Sequence, residues 1–70
     1  MRRVAVDSSM IASIGYDASS EVLEVEFTSG SIYQYCDVPA SLHRGIMKAE
    51  SHGRYFNEHI REIFRHRQIR

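Results

Sequence analysis

Residues Val22–Phe27 constrain the fold of this chain more than any other stretch. Leu23, Val25 and Phe27 alternate with Glu24 and Glu26. Successive side chains of a strand point to opposite faces, so one face here is apolar and the other acidic. That pattern belongs to an antiparallel sheet with a single covered face. The preceding Asp17–Glu21 is polar and small, hence a turn. Before it, Ala12, Ile14 and Tyr16 share one face of Met10–Tyr16, and Ile11, Ser13 and Gly15 share the other. Pairing Asp17 with Val22 sets Tyr16 against Leu23, Ile14 against Val25 and Ala12 against Phe27. All three pairs are apolar, which supports that register.

The next hairpin admits two registers. With Ser29-Gly30 as a two-residue turn, Gln34 and Cys36 are buried, and Tyr33 and Tyr35 stand outside beside Glu26 and Glu24. With Thr28-Ser29-Gly30 as a three-residue loop and Gly30 left-handed, Val25 faces Tyr33, Leu23 faces Tyr35, and Gln34 turns to solvent. One residue of slip exchanges the two faces of the strand. The second register buries large apolar bodies and no unpaired amide, so it is the expectation.

Helical periodicity takes over at Pro39, a proline suited to a first helical position. Leu42, Ile46 and Ala49 line one stripe of Pro39–Glu50, with Arg44 and Lys48 elsewhere on the helix. Ser51-His52-Gly53 breaks that helix, and Ser51 can cap the next. In Arg54–Phe64 the stripe is Phe56, Ile60, Ile63 and Phe64. Arg3–Val6 is short, Asp7-Ser8-Ser9 reads as a turn or strand lead-in, and the tail His66–Arg70 offers no pattern. The fold class is therefore α+β: a three-stranded antiparallel meander followed by two short helices packed on one face.

The 70 residues make one domain, whose core at this size rarely supplies more than about 3–5 kcal/mol. Cys36 is the only cysteine, which excludes an internal disulfide and suits a reducing, cytoplasmic setting. Val4-Ala5-Val6 after Arg2-Arg3 is too short for a signal peptide or a membrane span. His59 and His66 lie seven apart, about 10 Å along a helix, too far to share an ion, and His43 and His52 have no cysteine partner. Cys36 reads as a small buried hydrophobe. There is no phosphate loop, carboxylate pair or cofactor fingerprint, so neither catalysis, cofactor nor metal is expected.

Charge is the feature left over. The net charge is zero, but residues 1–37 carry −4 and residues 38–70 carry +4. Acidic sheet and basic helices solvating one another is the plain explanation. The sharper one is an anion-binding face built from Arg54, Arg61, Arg65 and Arg67, with Tyr55 and Asn57 adding hydrogen bonds. Arg61 and Arg65 stand four apart and repel by a few tenths of a kcal/mol unless Glu58, Glu62 or a bound phosphate offsets them. A second surface, Tyr33 and Tyr35 as a base-stacking platform, requires the other hairpin register.

The chain resembles the KTSC domain family. The likeness runs from about Val6 to Ile63. It is carried by Ser8-Ser9, Gly15-Tyr16-Asp17, Leu23-x-Val25-x-Phe27, Gly30, Tyr33-x-Tyr35 and Val38-Pro39. It continues through Ala49-x-Ser51-x-Gly53-x-Tyr55-Phe56-Asn57 to Ile60-Arg61. Cys36 and the arginine-rich tail are not features of that pattern. The family takes its name from the C-terminal end of certain lysyl-tRNA synthetases and occurs as short stand-alone bacterial and phage proteins. The resemblance implies a small accessory domain and, by the synthetase setting, RNA such as tRNA as partner. The rival expectation is a protein-interaction module, a homodimer through open sheet edges among its forms.

Overall fold

The computed structural model describes residues 1–70. It contains β1 (Arg3–Ala5), β2 (Ile11–Asp17), β3 (Val22–Phe27) and β4 (Ile32–Tyr35). α1 (Ala40–Lys48), α2 (His52–His59) and β5 (His66–Gln68) follow. The strands form one five-stranded antiparallel sheet in the order β1-β2-β3-β4-β5. The protein is α+β as expected, but the three-stranded meander is only the centre of the sheet. Both added strands are three residues long, and β5 has no apolar residue, so neither carries a local strand signal. Tertiary pairing alone makes them strands.

The central register agrees with the sequence reading over most of its length. Asp17 pairs with Val22, Tyr16 with Leu23 and Ile14 with Val25. The expected Ala12–Phe27 pair is replaced by Ile11–Phe27, because a β-bulge falls between Ile11 and Ser13. The extra residue reverses the alternation, so Ile11, assigned by simple period two to the outer face, enters the core with Ile14. The β3–β4 hairpin is the three-residue loop. Gly30 has φ of +99°, its N–H donates to the Phe27 carbonyl, and Tyr33 and Tyr35 face Val25 and Leu23.

Pro39 is the N-cap of α1 rather than its first residue, and Ser51 caps α2 by accepting from the Arg54 N–H at 3.2 Å. Ile46 of α1 and Phe56 of α2 meet Ile11, Ile14, Leu23, Val25, Tyr35, Val38 and Ile60 in the core. α2 stops at His59, five residues before the expected end, and a turn follows. That early stop swings Ile63 out of the anticipated stripe, to 65% exposure, while Ile60 stays buried.

The outer face of the sheet is polar and satisfied. Arg3 donates to Ser13 Oγ at 3.0 Å and to Glu24 Oε2. Ser13 Oγ donates to Glu26 Oε1, Gln34 Nε2 to Glu24 Oε1, and Arg70 Nη2 to Glu26 Oε2, at 2.7, 2.9 and 3.0 Å. Gln34, expected in open solvent, is therefore half-buried in a network. Glu24 is only 5% exposed. The network ties Glu24 and Glu26 to Arg3 and Arg70.

Candidate nucleic-acid interface

The six residues of the anticipated basic surface do not form one patch. Arg54 and Asn57 are exposed on α2, and Arg61 follows just beyond its end. Arg61 Nη1 donates to Asn57 Oδ1 at 3.4 Å, and Arg54 Nε lies 3.9 Å from Glu58 Oε1. Arg65 Nη2 sits 3.8 Å from Asp37 Oδ2, with both side chains 81% exposed. Contacts this long and wet contribute little, so these guanidinium groups are free to turn toward another anion. Arg67 is elsewhere. It pairs with Gln34 across β5 and β4 and donates to Gln34 Oε1 at 3.1 and 3.3 Å, on the outer face of the sheet. The reason is the unforeseen strand: in β5 successive side chains alternate faces, whereas a helical tail would have kept Arg67 near Arg61.

Tyr55 serves packing. Its ring lies 4.4 Å from that of His59, and it packs so closely on Gly45 of α1 that a Cβ there would meet its hydroxyl at 2.0 Å. The other histidines also have local partners. His43 stacks on Tyr16 at 4.7 Å, His52 Nδ1 is 2.7 Å from the Ile46 carbonyl, and His66 lies against Tyr33 and Tyr35. No three His, Cys, Asp or Glu side chains converge in metal-binding geometry.

Tyr33 and Tyr35 occupy the core face, yet they are not sealed there. The helices cover only part of that face. Beside the turn after α2 a cleft of about 860 Å³ remains open, and both tyrosines line it. Phe27, Phe56 and Phe64 add apolar walls, and Arg61, Glu62 and His66 bring charge and polarity. The rings touch in series: Phe27–Tyr33 at 5.7 Å edge-on, Tyr33–Tyr35 at 6.4 Å offset-stacked, Tyr35–Phe56 at 5.3 Å edge-on. Burial and the neighbouring Tyr33 push the Tyr35 phenol up to about 12, against the opposing charge of Arg61. It is therefore neutral at physiological pH. The sequence reading set core and binding surface as alternatives for this pair. The hydrophobic packing places both inward, Tyr35 buried and Tyr33 half-buried, and the shortness of α2 leaves open the cleft that they line.

The chain is thus a small α+β domain with an open aromatic cleft and exposed arginines near it. The chain belongs to the KTSC domain family, whose model matches residues 7–64. It is 47% identical over 58 residues to an uncharacterised protein of Stutzerimonas stutzeri, covering 83% of this chain and 82% of that one. It is 35% identical over 63 residues to a lysine–tRNA ligase of Nostoc punctiforme, covering 90% of this chain but 11% of the ligase. The crystal structure of a KTSC domain protein from Yersinia pestis, 42% identical, superposes with a TM-score of 0.96 over 99% of this chain and 97% of that one.

Proposed function

We propose that this domain is a non-enzymatic accessory module of the cytoplasm that binds RNA of the tRNA class, with Arg54, Arg61 and Arg65 holding phosphates. The observation that carries this reading is the unequal commitment of the arginines. Arg3 and Arg70 are tied to Glu24 and Glu26 within the sheet network. Arg54 and Arg65 have only exposed carboxylates at 3.8–3.9 Å, and Arg61 has only a long bond to a neutral amide. Glu24 and Glu26 are thus neutralised at the sheet, while Arg54, Arg61 and Arg65 keep only long, exposed partners. Relatives named as lysine–tRNA ligases carry a matching segment, which supports tRNA as the class of partner.

Phosphate binding is read by its salt dependence. The Arg54→Gln/Arg65→Gln double variant is expected to bind bulk tRNA more weakly and to lower the slope of log K against log salt by roughly one per arginine. An unchanged slope sinks the assignment. A second reading, strand addition at a sheet edge, draws on the exposed Val4 of β1 and Ile69 beside β5. Both edges are short and flanked by arginines, which discourages edge pairing. A dimer in sedimentation experiments that persists at high salt would favour this second reading.

A further inference from the structure

The cleft contains a polar group that the fold leaves unused. The hydroxyls of Tyr16 and Tyr33 are spent inside the chain, on the Val38 carbonyl and on Gln68 Oε1. Tyr35 is the one buried tyrosine, at 3% exposure. No hydrogen bond within the chain takes its hydroxyl, although every fully enclosed side-chain polar atom of the molecule has a partner. The hydroxyl therefore opens to the cleft that Tyr35 lines. Because this phenol stays protonated, it offers a donor and an acceptor together.

The surroundings select the ligand. A purely aliphatic group would strand the Tyr35 hydroxyl unpaired, which costs free energy. A simple anion would make no use of the walls of Phe27, Tyr33 and Phe64. A planar heterocycle with a polar edge and an attached phosphate uses the hydroxyl, the aromatic walls and the Arg61 guanidinium that also lines the cleft. The cleft volume of about 860 Å³ lies within the usual range for small-ligand sites, about 300–1,000 Å³. We propose that the cleft takes one nucleotide, its base against the aromatic walls, its edge on the Tyr35 hydroxyl and its phosphate at Arg61. The proposal rests on the RNA reading for its source, an unpaired nucleotide of an RNA chain. A free mononucleotide has the same chemistry.

Amide-shift titrations of the labelled protein with uridine and adenosine 5′-monophosphates, and with a single-stranded RNA oligonucleotide, separate these sources. Shifts are expected to map to the cleft with both kinds of probe. Tyr35→Phe keeps the ring and the fold, and should weaken binding about five- to tenfold through the lost hydrogen bond. Phe64→Ala should weaken it about tenfold or more through lost stacking. Matching melting curves establish that each variant is folded. Shifts outside the cleft, no shift with either probe, or wild-type affinity in Tyr35→Phe overturns the cleft assignment, and the arginine reading then stands or falls on its salt slope. Cleft binding of mononucleotides without any RNA binding keeps the cleft as a free-nucleotide site and removes the RNA reading.

Discussion

Single residues set how closely the elements approach. Gly45 lets α2 dock on α1, because Tyr55 fills the space a side chain would need. Gly45→Ala is expected to destabilise the domain by about 1–3 kcal/mol, the usual range for forced overpacking. Denaturant unfolding measures this, and adding Tyr55→Phe to that variant should recover part of the loss. Tyr35 presents the opposite problem, removal of a large buried ring. Tyr35→Ala should cost about 3–5 kcal/mol, enough to unfold a domain this small, whereas Tyr35→Phe stays folded. A Tyr35→Ala protein with a near-normal Tm would mean that the ring contributes little to the core.

At the scale of elements, the sheet divides into a core built on apolar pairs and two edges held by polar ones. β2, β3 and β4 carry Ile14, Leu23, Val25 and Tyr35 into the core. β1 and β5 contribute no residue to it, and side chains on and beside them bridge to Glu24 and Glu26. Glu26 accepts from Ser13 and Arg70 and lies 4.0 Å from Arg3 Nε, so it joins both edges to the centre. Glu26→Gln should therefore accelerate amide hydrogen exchange at Ile69 and Arg70 more than in β2 and β3. Equal protection in the variant and the wild type would show that backbone pairing alone holds the edges.

For the whole molecule, the charge network makes stability depend on pH. Burial pushes Glu24 up, but hydrogen bonds from Gln34 and Arg3, with the charge of Arg3, outweigh it and hold the carboxyl below its ordinary 4.5. The Ser13 hydroxyl holds Glu26 below that value, aided by Arg3 and Arg70. A carboxylate whose folded pKa is depressed adds stability that is present above its unfolded value and lost as pH falls through the folded one. His43 is also held below its ordinary 6.5, by burial and by Arg44, so its neutral form is the stabilising one. Thermal melts should show a first loss as pH drops below 6.5 and a steeper one below 4.5. Glu24→Gln should flatten only the second. A Tm that is constant across both windows would show that these groups titrate alike in the folded and unfolded chain.

The sequence alone was enough to place β2, β3, β4, the Gly30 loop, α1 and the start of α2, though not the end of α2 at His59. Each is dictated by local periodicity, turn chemistry or capping, and apolar pairs admit few registers. The KTSC membership was legible too, in the ordered motifs from Ser8 to Arg61. Only the tertiary structure decided the bulge that turns Ile11 inward, the strands at both edges and the place of Arg67. Those features arise from pairing between residues far apart in the chain, such as Arg70 with Glu26, and no local pattern encodes them. The cleft follows from the same cause. Its walls come from the β3–β4 hairpin, α2 and the C-terminal turn, and the early end of α2 leaves Tyr35 buried by its ring but open at its hydroxyl.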